Sequence, residues 1–154
     1  MPDSTRPEPA GKTAPTCLGF DFGMRRIGVA AGQALTATAR PLEILPARDG
    51  IPDWDRIAGI IEEWRPDLIV VGLPLNADGS EHEVTRAARR FMNRLQGRFG
   101  LPVHAVDERL SSAEAASRLR GDNARKARPD APLDHIAAQV ILETWLEQQR
   151  NPSA

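Results

Sequence analysis

Thr16-Cys-Leu-Gly-Phe-Asp-Phe-Gly-Met-Arg-Arg-Ile-Gly-Val-Ala-Ala-Gly-Gln33 is the stretch from which the fold is read. Two apolar runs, Cys17–Phe22 and Ile27–Ala31, flank a short turn, Gly23–Arg26, in which glycine can supply a positive φ. The pattern predicts a β-hairpin. Its odd member is Asp21, a carboxylate between Phe20 and Phe22. Side chains alternate along a strand, so Asp21 leaves by the face opposite its phenylalanine neighbours. A buried carboxylate is costly unless it is paired, hydrogen-bonded or metal-bound. From the hairpin alone, a turn-capping role or an ion pair with Arg25 or Arg26 competes evenly with a chemical role.

Moving outward, Ala37–Leu45 is a third strand, with Pro41 placing it at a sheet edge. Asp49-Gly50 is a turn, and Asp53 caps a helix over Trp54–Trp64 whose apolar residues recur at helical spacing. Leu68–Val71 is a continuous apolar run, expected of a strand covered on both faces. The loop Gly72–Ser80 follows it, and Ser80 with Glu83 has the form of a capping box for a helix reaching about Phe99. Along that helix Val84, Ala87, Ala88, Phe91, Met92, Leu95 and Phe99 form an apolar stripe. Arg86, Arg90, Arg94 and Arg98 repeat every four residues on another face, with Arg89 beside them. Such a face is usually just solvated, but few acids intervene here and a polyanion would relieve the repulsion.

Pro102–Val106 is another strand, ending at Asp107-Glu108-Arg109. Ser111 and Glu114 form a second capping-box pattern, for a helix to about Arg120. A polar, basic, proline-containing loop over Gly121–Pro132 precedes a last helix, Leu133–Gln149. Asp134 lies in its first turn, where the helix dipole favours a carboxylate.

A chain of 154 residues accommodates one domain, expected over residues 16–150, with polar disordered tails at 1–15 and 151–154. A single cysteine, Cys17, excludes an internal disulfide framework and fits a reducing cytosol, where a small core residue is its simplest role. No apolar stretch has the length of a membrane span and no signal peptide is evident, so a cytoplasmic protein is expected. The formal net charge of −1 conceals an asymmetry: between Arg86 and Arg128 lie 11 of the 20 Lys and Arg but only 4 of the 21 Asp and Glu. That basic half is a candidate footprint for a polyanion.

Five ordered stretches, Leu18–Gly23, Arg26–Ala30, Val71–Ser80, Val106–Leu110 and Asp134–Ala138, together resemble the YqgF (RuvX) family. The resemblance runs from about Cys17 to Glu147. Members of that family are described as pre-16S ribosomal RNA nucleases or Holliday-junction resolvases. It implies an α/β, ribonuclease H-like fold: a five-stranded mixed sheet of order 3-2-1-4-5 with helices on both faces. It also implies Asp21, Glu108 and Asp134 as catalytic acids and metal ligands. Hard Mg²⁺ or Mn²⁺ suits carboxylates, and two such ions serve phosphodiester hydrolysis. Arg25, Asn76, Ser80, Arg109, Arg125, Lys126 and Arg128 are read as substrate-binding, with structured RNA favoured over branched DNA and pre-ribosomal particles as the setting.

One geometric demand stands out. In the implied order the strand bearing Glu108 lies two positions from that bearing Asp21, about 10 Å away laterally. Glu108 must therefore reach inward, with Asp107 or Asp78 as local substitutes if it does not. Two other readings use the same residues differently: resolution of DNA junctions, and a non-catalytic nucleic-acid-binding ribosome assembly factor. An actin-like or sugar-kinase-like ATPase would need two such domains, and no Walker-type sequence is present.

Overall fold

Around the hairpin formed by β1 (Thr16–Asp21) and β2 (Arg26–Gln33), the chain adds strands on both sides. These are β3 (Thr38–Arg48), β4 (Ile51–Pro52), β5 (Leu68–Leu73) and β6 (Val103–Asp107). Three helices accompany them: α1 (Trp54–Trp64), α2 (Glu83–Phe99) and α3 (Leu133–Arg150). This is a computed structural model, and it describes residues 15–110 and 133–150. The tails expected at both ends (Pro15 apart), the helix expected from Ser111 and the basic loop with Arg125, Lys126 and Arg128 lie outside those residues.

The sheet order is β4-β3-β2-β1-β5-β6, with β4 to β1 antiparallel and β1, β5 and β6 parallel. The expected order is thus present, but the sheet has six strands rather than five. The addition arises at the Asp49-Gly50 turn. Both residues adopt positive φ, 52° and 80°, which folds Ile51–Pro52 back on Ala47 and Arg48. Pro41 pairs opposite Ala30, where the β2–β3 register shifts. A residue without an N–H is tolerated at such an irregularity.

Strand alternation sorts the core into two layers. Leu18, Phe20, Phe22, Ile69, Val71 and Leu73 face α1 and α2, whereas Cys17, Val70 and Val106 face α3. Phe91 of α2 anchors the first layer, with ring centroids 5.5 Å from Phe20, 5.3 Å from Phe22 and 5.7 Å from Trp54. In the second layer α3 sits very close to the sheet, because a Cβ on Gly19 would come within 2.8 Å of the Leu142 Cβ. Burial, with a smaller contribution from Asp67, pushes the Cys17 thiol up to about 11, so it is an inert core group at neutral pH. No helix of the described residues is long and apolar enough to cross a membrane.

Asp53 caps α1 as its sequence predicts, accepting from the Asp55 N–H. The start of α2 differs from expectation. Its cap is His82, whose Nδ1 accepts from Val84 N–H while Thr85 Oγ1 accepts from His82 N–H. Ser80 is instead held within the preceding loop by Asp78 and Asn76, and so cannot serve the helix.

Because Phe91 packs β1, α1 and α2 around a single ring, Phe91→Ala should cost about 3–5 kcal/mol. Urea unfolding followed by circular dichroism measures it. A loss below about 1 kcal/mol would show that the layer does not depend on this ring.

Candidate active site

At the carboxyl end of β1, Asp21 is 3% exposed and points to the α3 side, opposite Phe20 and Phe22. Its register partner on the adjacent parallel strand is Gly72. Glu108 begins the 3₁₀ turn Glu108–Leu110 directly after β6, and is 5% exposed. Its Oε2 lies only 2.9 Å from the point that a Cβ on Gly72 would occupy. Glu108 therefore reaches from the end of β6 over the neighbouring strand, to the residue that pairs with Asp21. The inward reach that the strand order demanded is made possible by the missing side chain at position 72. Ile141 of α3 packs into the same gap, its Cδ1 closer still to that point.

The third acid is placed by its helix. Ile141 lies at the level of Gly72, while the Trp145 ring packs 5.0 Å from His104. His104 pairs with Val70, two residues earlier along β5. It follows that α3 runs antiparallel to β1 and β5, and its first turn, containing Asp134, lies at the carboxyl end of the sheet. The positive end of the α3 dipole is therefore directed to the same mouth as Asp21 and Glu108. The Asp134 side chain is outside the described residues, and among those described no group of three His, Cys, Asp or Glu gathers.

The two proposed substitutes for Glu108 are committed elsewhere. Asp107 makes a bidentate ion pair with Arg109, 3.1 Å from Nε to Oδ1 and 2.7 Å from Nη2 to Oδ2. The Arg109 side chain holds the Asp107 carboxyl below its usual range, chiefly by hydrogen bonding. Arg109 Nη1 also donates to the Ala77 carbonyl at 3.2 Å, clamping the β5–α2 loop against the end of β6. Asp78 Oδ1 accepts from the Ser80 N–H at 2.9 Å and from its hydroxyl at 2.6 Å, which lowers its pKa. Asn76 Nδ2 completes the loop by donating to Ser80 Oγ at 2.9 Å.

Among the residues read as substrate-binding, Asn76, Ser80 and Arg109 thus share one exposed or half-exposed loop cluster beside Glu108. Arg25 is exposed in the β1–β2 turn, whose backbone is tied to the β3–β4 turn through Ala47 N–H to Arg25 carbonyl and Gly50 N–H to Met24 carbonyl. Sequence reasoning missed two elements. Gly72 was legible only as the start of a loop, although a glycine ending an apolar strand is a signal of close approach. The Asp107–Arg109 clamp was hidden because two neighbours of Glu108 looked like rivals or helpers.

A twisted mixed sheet with a central hairpin, helices on both faces and buried acids at the carboxyl end of its parallel strands defines a ribonuclease H-like fold of the nuclease type. The chain belongs to the RuvX family of Holliday junction resolvases, whose sequence pattern matches residues 15–148. It is 54% identical over 133 residues to the "Putative pre-16S rRNA nuclease" of Nitrosococcus oceani, covering 86% of this chain and 87% of that one. Identity to the protein of the same name from Aeromonas salmonicida is 52% over 132 residues, covering 86% and 94%. In three dimensions the chain is similar to Thermus thermophilus RuvC bound to a Holliday junction, with TM-score 0.54, 18% identity and 88% and 96% coverage. The yeast mitochondrial Holliday junction resolvase gives 0.51, at 10% identity and 87% and 78% coverage. At those identities the likeness is one of fold.

Two outcomes follow from this geometry. Gly72→Ala should destabilise the protein by about 1–3 kcal/mol, because Ile141 and Glu108 must both yield to the new methyl group. Parental stability in urea would mean that the gap is not tightly filled. Asp107→Asn should lower stability at neutral pH. The Asp107 carboxyl is depressed in the folded state, so its contribution is present above the unfolded value of about 3.9 and lost as pH falls through the folded one. The gap between parent and variant in urea midpoint should close as pH falls below about 4, and a gap constant with pH would refute the clamp.

Proposed function

We propose that this protein is a divalent-metal-dependent nuclease that hydrolyses a phosphodiester bond in precursor 16S ribosomal RNA. Asp21, Glu108 and Asp134 are its catalytic acids, and Mg²⁺ or Mn²⁺ is its cofactor. The observation that carries the reading is the Glu108 carboxylate over Gly72, the register partner of Asp21, with both acids buried. Like charges held close and out of water repel and are desolvated, so such a pair is suited to a cation. The donors are oxygens, which fits a hard ion and not zinc. Asp21 and Glu108 would hold the metal, with Asp134 supplied from the start of α3.

When bound, divalent ions neutralise phosphate charge, activate water and support the leaving oxygen. The chain's own residues supply the rest. The glycine at position 72 lets Glu108 lie over the strand next to Asp21, and burial keeps bulk water from both acids. Arg25 and Arg109 set positive charge on two sides of that mouth. Asn76 and Ser80 offer neutral hydrogen-bonding groups on the loop that Arg109 fixes. Arg125, Lys126 and Arg128 precede α3 in sequence, and we assign them to substrate phosphates near the cut. In the reaction a water oxygen bonds to phosphorus, the ester P–O bond breaks, and the departing oxygen takes up a proton.

Relatives 52–54% identical carry the precursor-rRNA name, which favours RNA as the substrate. The test is cleavage of a precursor 16S fragment and of a four-way DNA junction, with Mg²⁺ or Mn²⁺ added. Asp21→Asn nearly preserves shape while removing a charge, and should lower cleavage at least about 100-fold with folding intact. Cleavage by the variant at the parental rate would remove Asp21 from the chemistry. Cleavage confined to the junction would transfer the activity to DNA.

A further inference from the structure

The outer face of α2 is not explained by the fold. Arg86, Arg90 and Arg94 are exposed, and successive members lie about 6 Å apart along the axis and about 40° apart around it. Their neighbours are occupied. Arg89 forms an ion pair with Glu81 at 2.7 Å, and the Arg98 guanidinium lies 4.4 Å above the Trp54 ring. The three remaining arginines stand in a row that local physics disfavours. Like charges four residues apart repel on a helix, and Arg86 lies near the positive end of the helix dipole. The first turn carries one acid, Glu83, and no other acid follows along α2 to offset the row.

The row has a direction. Thr85 Oγ1 donates to the carbonyl of Pro74, which directly follows β5, so the Arg86 end of α2 is tied to the mouth of the sheet. Arg94 lies about 12 Å farther along the helix. We propose that Arg86, Arg90 and Arg94 form a track for the phosphate backbone of the single-stranded RNA flanking the cut, leading it from the mouth over the β5–α2 loop and along α2. This deepens the nuclease reading and rests on it for the position of the cut. Arginine suits the task, because its planar fork engages phosphate oxygens in pairs without reading bases.

The test uses the full chain in EDTA, binding an RNA hairpin with a single-stranded extension and the same hairpin without it. In a variant combining Arg86→Gln, Arg90→Gln and Arg94→Gln, the salt slope for the extended RNA should fall by about 0.7 for each phosphate no longer neutralised, about 2 in all. Binding of the bare hairpin should keep its parental slope. Arg89→Gln, whose parent residue is already paired, should change the slope much less. Glutamine retains helix propensity and relieves repulsion, so the melting temperature should hold or rise, which separates a weaker hold on phosphate from unfolding. A parental slope for the triple variant, or equal reductions on both RNAs, overturns the track. When Mg²⁺ is restored, the triple variant should still cut a bare hairpin carrying the cleavage site at the parental rate while Asp21→Asn loses cleavage, so failure of the acids and failure of the track are read separately.

Discussion

One carboxylate crossing one strand sets the terms for the rest of the molecule. Glu108 starts from the edge strand β6 and comes to lie over Gly72, beside Asp21 on the central strand. Any side chain at position 72 would stand where the carboxylate and Ile141 now meet. The same absence lets α3 settle close to the sheet, as the Gly19 contact with Leu142 also does. Close packing of the helix and convergence of the acids are therefore one constraint. A bulkier strand end would lift α3 and separate Glu108 from Asp21 together.

Burying acids demands compensation, and the elements at the mouth are arranged to provide it. The start of α3 brings a positive helix end to the carboxyl edge of the parallel strands. Beside Glu108, Arg109 forms a bidentate pair with Asp107. That pair fixes the direction of the chain immediately before Glu108, and the further bond to the Ala77 carbonyl ties the neighbouring loop to the same point. Three consecutive residues thus divide the work: Asp107 and Arg109 build the support, while Glu108 alone turns inward.

The two faces of the sheet have different duties. On one, Phe20 and Phe22 pack against Phe91 of α2, beneath α1 and α2. The other carries smaller residues, Cys17, Ala30 and Val70, which with Ala138 on α3 itself let the helix approach closely. The large aromatic packing thus lies on the first face, and the buried Asp21 on the second.

The sequence by itself determined the hairpin, the α1 cap at Asp53, the central apolar strand and the face on which Asp21 emerges, because each rests on local rules of period, capping and alternation. Five motifs in order also identified the family, since together they span most of the matched stretch. Local rules failed where partners come from afar. Ser80 matched a helix-cap pattern but was taken by Asp78 and Asn76, leaving His82 to cap α2. The two-residue strand β4 was invisible because its pairing depends on two positive φ values rather than on an apolar run. Which of Asp78, Asp107 and Glu108 would face Asp21 was likewise decided only in three dimensions. Reach across a strand depends on the size of the residue in between, and Gly72 lies 36 positions from Glu108 in the chain.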